Sequence, residues 1–432
     1  VWALPDSDSA MLDIGVIQKS GDILGTQSQK VAIFSEFTYI CDMLRRSSMI
    51  WRIQSDRIKS LIGSGKAITL MGARQVGKST ILHSLLGAND SVLWLNGDDD
   101  DVREQFRNMT STRLKNIIGN KTIIIIDEAQ RISEIGLRMK LITDQIPGVQ
   151  VIATGSSSFE LSSKINESLT GRKRELKLFP LAFSELVRQT SFLEEKRMLS
   201  HRLIYGYYPE VVTSPSEEKV VLKELTQSYL YRDLLAMDGL NKADMLVRLL
   251  KALALQIGNQ VSYNELGSLI GIDSKTVEKY IDVLEKSYII FRLGTFSRNL
   301  RNELKMSRKV YFWDLGIRNA VISNFSPMEN RADCGALWEN FAISERMKLN
   351  EYGSGFAQSY FWRTKDQSEI DYIEEEDGMM KAFEFKWNPS KSKVKCPASF
   401  ASAYPSAVFK VITPDNVEEF ILDETAAFPA LR

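Results

Sequence analysis

The residues best suited to chemistry lie in one glycine-rich stretch, Gly72-Ala-Arg-Gln-Val-Gly-Lys-Ser79. It fits the pattern G-x-x-x-x-G-K-[ST], in which backbone amides turn inward around phosphate groups and the following helix adds its positive N-terminus. Lys78 is expected to reach the β- and γ-phosphates, and the Ser79 hydroxyl to complete the shell of Mg²⁺. ATP and Mg²⁺ are therefore the expected cofactors, and the expected nucleotide-binding residues of this stretch are Gly72, Ala73, Arg74, Gln75, Val76, Gly77, Lys78, Ser79 and Thr80.

Two carboxylates follow the apolar run Thr122–Ile126. Such a run is typical of a buried parallel strand, and Asp127 and Glu128 would stand at its carboxyl end. Asp127 is expected to hold Mg²⁺ through water, and Glu128 to be the general base that polarises the attacking water. Taken alone, the pattern fits a buried strand followed by a polar turn as well as it fits a catalytic pair. The nearby P-loop favours the catalytic interpretation.

Two further places offer polar groups to a γ-phosphate. A third strand ends in Thr154-Gly-Ser156-Ser157, where Thr154 or Ser156 is a candidate contact to the phosphate or to the attacking water. A simple Gly-Ser turn is the alternative. Downstream, Arg172 or Arg174 is a candidate arginine finger that stabilises charge on the transferring phosphoryl group. A solvated basic turn explains these arginines equally well.

The elements that must position these groups alternate along residues 49–187. Helical patterns separate four apolar runs: Ala67–Met71, Ser91–Leu95, Thr122–Ile126 and Val149–Ala153. Alternation of this kind predicts a parallel sheet with helices on both faces. The catalytic groups would then meet at the carboxyl edge of that sheet.

The rest of the chain divides into segments of different pattern. Residues 1–48 show no sustained period and are an unassigned leader, with Met49 expected close to the natural start. Residues 188–244 read as helices. Residues 245–325 contain three helical patterns, two of them with Ser262 and Asp273 or Ser274 as caps, followed by the strands Ile289–Leu293 and Lys309–Trp313. That order suggests a winged helix. Residues 326–432 form the last segment.

Composition limits the class of protein. The 55 basic and 55 acidic residues balance, so any nucleic-acid surface must be local. The longest apolar runs, such as Ile123–Ile126, fall far short of the about 20 residues needed to span a bilayer, and the start shows no secretory signal. Three separated cysteines and two histidines exclude a disulfide framework and a conventional zinc site. A cytoplasmic protein without a membrane partner is expected.

Several ordered motifs resemble a known family. They are Gly72–Ser79, Ile-Asp-Glu-Ala-Gln130, Thr154-Gly-Ser-Ser, Gly171-Arg followed by Pro180-Leu-Ala-Phe-Ser-Glu185, Tyr207-Tyr-Pro-Glu210, Lys309-Val-Tyr-Phe-Trp-Asp-Leu-Gly316 and Gly335-Ala-Leu-Trp-Glu-Asn340. Together they look like prokaryotic AAA+-superfamily ATPases with a C-terminal domain of unknown function (DUF4143-type) that resembles PD-(D/E)XK nucleases. The similarity covers roughly residues 49–425. It implies an α/β multidomain chain: the P-loop sheet, a helical and winged-helix region, and a small restriction-endonuclease-like domain.

The last segment contains a second set of candidate catalytic residues. Strand alternation would put Glu369, Asp371 and Ile373 on one face, and Glu384 and Lys386 on one face of the next strand. Two acidic residues and a lysine on neighbouring strands fit a PD-(D/E)XK core, in which Asp371 and Glu384 bind Mg²⁺ and Lys386 orients the water. A hairpin with solvated polar faces is the alternative. The resemblance adds Glu339 as a further metal-site carboxylate.

These patterns lead to one main hypothesis and one alternative. The main hypothesis is a Mg²⁺-dependent ATPase coupled to a winged helix and a nuclease-like module that binds or cleaves DNA. The third helix of the winged helix carries lysines and acidic residues together, so either DNA or a protein is an open partner. The alternative is an ATP-switched adaptor whose C-terminal domain only binds a partner. AAA+-like domains often form rings, so a homo-oligomer is open as well.

Overall fold

The computed structural model describes residues 49–87, 89–107, 109–156, 169–227, 243–297, 308–353, 355–364 and 366–422. All elements below belong to one compact unit, Ile50–Arg432. The leader proposed for 1–48 and Ser157 lie outside the described residues. So do the basic residues Arg298, Arg301 and Lys305, between the predicted strands Ile289–Leu293 and Lys309–Trp313.

The first sheet has five strands, all parallel, in the order β2-β3-β4-β1-β5. Its elements are α1 Ile53–Leu61, β1 Ala67–Met71, α2 Lys78–Leu86, β2 Val92–Asn96, α3 Asp100–Phe106, α4 Ser111–Ile118, β3 Ile123–Asp127, α5 Ile135–Gln145, β4 Gln150–Gly155 and β5 Lys173–Lys177. The predicted parallel sheet and its four apolar strands are confirmed. The central strands are buried along nearly their whole length, as the uniformly apolar sequence requires.

A helical region follows the first sheet. It consists of α6 Phe183–Gln189, α7 Phe192–Arg197, α8 Leu199–Tyr205, α9 Pro209–Thr213, α10 Glu218–Glu224 and α11 Ala243–Leu255. Then come β6 Gln260–Val261, α12 Tyr263–Ile270 and α13 Ser274–Lys286. Both predicted caps are present: the Ser262 hydroxyl accepts from the Glu265 amide, and the Asp273 carboxylate accepts from the Lys275 and Thr276 amides.

The second sheet has seven strands in the order β12-β11-β10-β9-β7-β8-β6. The remaining elements are β7 Ile290–Thr295, β8 Arg308–Phe312, α14 Leu315–Val321, α15 Cys334–Tyr352, β9 Gln358–Arg363, β10 Glu369–Glu376, β11 Met379–Phe385, α16 Ala398–Ala403, β12 Val408–Ile412 and α17 Glu418–Ile421. Strand β7 pairs with β8 on one side and, in parallel, with β9 on the other. One sheet therefore crosses the boundary that the sequence suggests at 325/326.

Strand β10 contains a bulge. Its register against β9 shifts between Ile370 and Ile373, so two residues of β10 stand opposite one residue of β9. Ile373 packs with Ile370 in a small core that also contains Trp362, Ala382 and Phe400. The bulge interrupts the two-residue period against β9 on which the predicted shared face of Asp371 and Ile373 depended, and that shared face stays a prediction.

The helix α15 is buried on most of its circumference, including Trp338, Phe341 and Lys348. A helix that is buried on all sides must have protein on all sides. Near its C-terminal end the Lys348 ammonium donates to the Leu181 carbonyl, and the Glu345 carboxylate accepts from the Phe183 amide. Of the helices in the described part of the chain, none is long and apolar enough to span a membrane.

Candidate nucleotide site and C-terminal carboxylate cluster

The P-loop runs from the end of β1 into α2. Its backbone takes left-handed conformations at Gln75 (φ 60°) and Gly77 (φ 94°), which turns the loop back on itself. At Gly72 a Cβ atom would overlap the carbonyl oxygen of Leu178. The loop is thus packed tightly against the segment that follows β5. This close packing requires a glycine at position 72, and the positive φ angle favours one at position 77.

Lys78 is buried at the first position of α2. Its Nζ donates to the Gly72 and Ala73 carbonyls at 2.9 and 2.8 Å. Burial lowers the pKa of Lys78 to about 8, although Glu128 and Asp127 favour its charged form. A bound polyphosphate would add negative charge beside the ammonium and favour the protonated state.

The structure brings the two expected Mg²⁺ ligands into contact. The Ser79 hydroxyl donates to Asp127 Oδ2 at 2.7 Å. The Thr154 hydroxyl donates to the other Asp127 oxygen and accepts from the Glu128 amide at 3.1 Å. Ser79, Asp127 and Thr154 therefore meet where β1, β3 and β4 end, which is the carboxyl edge of the sheet. In this arrangement Thr154 orients Asp127 directly.

Glu128 stands in a left-handed conformation, with φ 47°. Its Oε2 accepts from the Gln130 side-chain amide and, at 3.2 Å, from the Ser156 hydroxyl. Gln130 also donates to Ser156 at 3.1 Å. These contacts hold the carboxylate next to the end of β4. Sequence reasoning missed Gln130, although its position two residues after the acidic pair was a visible signal.

The structure does not bring Arg172 to the P-loop of its own chain. The Ala67 amide donates to the Arg172 carbonyl, so Arg172 lies beside the start of β1, whereas the P-loop follows the end of β1. A five-residue strand spans about 16 Å. The Arg172 guanidinium instead pairs with Asp144 on α5 at 2.8 Å. Within one chain Arg172 is therefore not placed to contact a nucleotide at the P-loop. Arg174, opposite Ile68, lies nearer to the P-loop end of β1 than Arg172 does, and its role as an arginine finger stays a prediction.

Arg52, which sequence reasoning missed, donates a hydrogen bond to the P-loop backbone. Arg52 is 5% exposed and donates to the Val76 carbonyl at 2.6 Å, the Phe179 carbonyl at 2.7 Å and Glu185 Oε2 at 3.0 Å. Glu185 is fully buried and also accepts from the Ile53 amide. Because Glu185 is 133 positions away, no local pattern could have revealed this contact.

A cluster of carboxylates and lysines lies on the second sheet and the adjacent helix α15. This carboxylate cluster consists of Glu339, Glu369, Asp371, Glu384, Lys309 and Lys386. Lys309 on β8 donates to Glu339 at 3.1 Å and to Glu369 at 2.6 Å. Burial opposes the charge on Lys309, but Glu339, Asp371 and Glu369 outweigh it and raise the pKa of Lys309. The Tyr311 hydroxyl, also on β8, donates to the same Glu339 oxygen at 2.6 Å.

Asp371 and Glu384 lie on adjacent strands of the cluster. Tyr372 pairs with Phe383, which places Asp371 beside Glu384. Burial, and next the charge of Glu339, raise the pKa of Asp371 to about 7. Burial and the charge of Asp371 raise the pKa of Glu384, whose Oε1 accepts from Lys386 at 2.6 Å. The residues predicted for this site thus do come together.

Glu339, Asp371 and Glu384 nevertheless do not form a metal site of three carboxylates. Among the residues that the structure describes, no three His, Cys, Asp or Glu side chains are placed to hold a metal ion. One oxygen of Glu339 is occupied by Lys309 and Tyr311, and Asp371 Oδ2 accepts from the Phe385 amide. The inclusion of Glu339 among the metal ligands does not fit this geometry, because its carboxylate is already paired with an ammonium.

Comparison with known families divides the chain into three matched parts. Residues 64–187 match the AAA domain family. Residues 196–328 match a domain of unknown function, DUF8612, and residues 334–429 match a second one, DUF4143. The AAA match contains the P-loop and the acidic pair, whereas the carboxylates of the second cluster fall within the DUF4143 match.

Two relatives match most of the chain at low identity. The chain is 24% identical over 382 residues to the uncharacterized protein Rv2008c of Mycobacterium tuberculosis, with 87% of this chain and 82% of the relative covered. It is 25% identical over 391 residues to the uncharacterized protein MJ1544 of Methanocaldococcus jannaschii, with 84% and 83% covered. A structure of Drosophila ORC bound to AT-rich DNA and Cdc6 matches 70% of this chain and 99% of its own at 8% identity, with a TM-score of 0.23. The AAA match and the site geometry agree that residues 64–187 form a P-loop domain of the AAA type.

Proposed function

We propose that the chain binds Mg²⁺-ATP at the P-loop and hydrolyses it. The observation that carries this proposal is the meeting of Lys78, Ser79, Asp127 and Glu128 at the carboxyl edge of one parallel sheet. This edge is where parallel α/β sheets bind their ligands. The backbone amides of residues 72–79 would surround the phosphates, and Lys78 would leave its carbonyl partners to bind the β- and γ-oxygens.

Asp127 and Glu128 have different roles in the proposed reaction. Ser79 and Asp127 would hold Mg²⁺, which shields the charge of the phosphates when bound. Glu128 accepts a proton from the attacking water, and the Thr154 hydroxyl fixes both the Asp127 carboxylate and the Glu128 backbone. Gln130 and Ser156 donate to the Glu128 carboxylate and orient it beside the end of β4.

The test separates binding from hydrolysis. Glu128→Gln keeps the size of the side chain but removes the base, so we expect nearly unchanged ATP affinity and turnover that is ~10²-fold slower or more. ATP binding is measured by calorimetry and turnover by phosphate release. Glu104→Gln, which removes a carboxylate from an exposed pair with Arg107, is the matched control. Wild-type turnover in Glu128→Gln would show that another group activates the water.

We also propose that the C-terminal half acts on DNA with a divalent ion bound between Asp371 and Glu384. The proximity of these carboxylates to Lys386 supports this second function. Lys386 would orient the water or stabilise negative charge on the reacting phosphate. The segment α11–α13 with β6–β8 has the element order of a winged helix, whose third helix would lie against DNA.

A cleavage assay distinguishes this function from that of an ATP-switched adaptor. Plasmid, linear and single-stranded DNA are incubated with Mg²⁺ or Mn²⁺, with and without ATP. We expect Asp371→Asn and Lys386→Met each to abolish cleavage while ATP turnover persists. Lys410→Met, at an exposed pair with Glu419, is the control for loss of a lysine. A wild-type protein that neither cleaves nor binds DNA would favour the adaptor function.

A further inference from the structure

Lys309 is a buried cation in the middle of the carboxylate cluster. It is 2% exposed, and its Nζ lies 3.1 Å from Glu339 Oε1 and 2.6 Å from Glu369 Oε1. An ammonium in such a place is tolerated only when carboxylates surround it. Lys309 and its two partners therefore form one unit, with the ammonium bridging carboxylates from α15 and β10.

The two carboxylates bound to Lys309 have further donors. Glu339 Oε1 also accepts from the Tyr311 hydroxyl at 2.6 Å. Glu369 Oε2 pairs with the Arg363 guanidinium at 3.1 Å. Both carboxylates are thus held by groups of the chain itself. A metal ion could use Glu339 Oε1 or either Glu369 oxygen only after breaking these contacts.

Asp371 and Glu384 are held less firmly. Asp371 accepts a hydrogen bond from a neutral donor, the Phe385 amide, at 2.9 Å. Glu384 pairs with Lys386, whose side chain is 30% exposed and can move into solvent. Repulsion between the two carboxylates is relieved by a cation between them. These two residues are therefore the part of the cluster that can receive a divalent ion.

The charges of the site limit it to one such ion. Four carboxylates, Glu339, Glu369, Asp371 and Glu384, face the three cations Lys309, Lys386 and Arg363. One divalent ion at Asp371 and Glu384 more than balances the remaining negative charge. A second one would have to sit against the Lys309 ammonium, where like charges repel strongly in a buried site.

We propose that Lys309 is a resident cation in the place of a second divalent ion, so that the cluster takes at most one divalent ion, at Asp371 and Glu384. Glu339 and Glu369 then serve to hold Lys309 and do not ligate the metal. This inference rests on the second proposed function for the identity of the metal pair. The position of Lys309 itself does not depend on that function.

Mn²⁺ binding to the full chain without nucleotide tests the inference. The stoichiometry is measured by electron paramagnetic resonance, in an Asp127→Asn background that removes the carboxylate expected to hold Mg²⁺ at the nucleotide site. We expect one Mn²⁺ per chain, lost on Asp371→Asn and retained on Glu339→Gln. Lys309→Met should bind one ion more, and Glu339→Gln in that variant should remove the additional ion. Lys410→Met should leave the stoichiometry unchanged.

The outcomes separate the inference from the function on which it rests. Two ions in the protein with Lys309 intact, or loss of the single ion on Glu339→Gln, would overturn the inference, and neither needs the Lys309→Met protein to fold. The inference is also overturned if the Lys309→Met protein, shown by circular dichroism to be folded, binds no additional ion. No ion with Lys309 intact, but one Glu339-dependent ion in Lys309→Met, would refute the metal pair while supporting the role of Lys309.

Discussion

At the scale of single residues, the nucleotide site is controlled by the charge of one lysine. The Lys78 ammonium is enclosed by the P-loop and donates to two of its carbonyl groups, and burial lowers the pKa of Lys78 to about 8. Bound phosphates favour the charged ammonium, so the pKa of Lys78 must be higher in the complex than in the free protein. Binding of ATP therefore takes up a proton wherever the free lysine is neutral.

This linkage predicts a pH dependence of ATP affinity. Below about pH 8 Lys78 is charged in both states and its contribution to affinity is constant. As pH rises above that value, the free state loses its proton and binding must restore it, so Kd should rise by up to about tenfold per pH unit. Calorimetric titrations between pH 6.5 and 9.5 measure the effect. Lys78→Met should bind weakly and show a flat profile over this range.

A flat profile in the wild-type protein would contradict the assignment of the buried lysine to the phosphates. Lys121→Met is a suitable control, because this half-buried lysine donates to the Asp90 carbonyl away from the P-loop. Its pH profile should match that of the wild-type protein.

At the scale of elements, Arg52 joins the P-loop to the start of α6. Replacing Arg52 with Met leaves the buried Glu185 carboxylate without its guanidinium, which typically costs 3–5 kcal/mol of the free energy of unfolding. It also removes the donor to the Val76 carbonyl, so ATP affinity should fall as well. Urea unfolding and ATP titration measure the two effects separately.

Arg107→Met is the matched control for this change. Arg107 forms an exposed pair with Glu104, in which both side chains are more than half exposed, and such pairs contribute about 1 kcal/mol or less. If Arg52→Met were as stable as Arg107→Met, the contact between Arg52 and Glu185 would not stabilise the fold.

The sequence predicted those elements whose signal is local. Strands β1 to β4 were predicted because they are apolar throughout, and the P-loop because its spacing is fixed by phosphate geometry. Strand β5 was missed because Lys-Arg-Glu-Leu-Lys has the composition of an exposed turn, and it lies at the sheet edge with two exposed residues. The bulge in β10 and the partners of Arg52 and Lys309 depend on residues distant in sequence, which no single period encodes.

At the scale of the whole molecule, α15 connects the ATPase domain to the second sheet. Glu339 near its start belongs to the carboxylate cluster, and Tyr352 at its end accepts from the Phe179 amide beside the P-loop. Thirteen helical residues span about 20 Å between these two contacts. Most helical residues between these contacts are buried, so the two halves share the packing of the helix.

We therefore expect the two halves to unfold as one cooperative unit. Hydrogen exchange should give β1 and β10 amides the same free energy of opening at low denaturant, and a slowly hydrolysed ATP analogue should raise both equally. Lys348→Met, which leaves the buried Glu345 carboxylate without its cation, should lower both together. Separate opening of β10, with ATP protecting β1 alone, would show that the halves are energetically independent.

The pairing of β7 with β9 has a consequence for how this chain can be inherited. The Phe296 amide donates to the Phe361 carbonyl, and Gly294 and Thr295 lie opposite Tyr360 and Phe361. A genetic crossover between these strands would leave β9 with an open edge, which attracts foreign strands. The sheet joins the two domains of unknown function, since β7 lies within residues 196–328 and β9 within residues 334–429. We therefore expect these two domains to be transferred between proteins together.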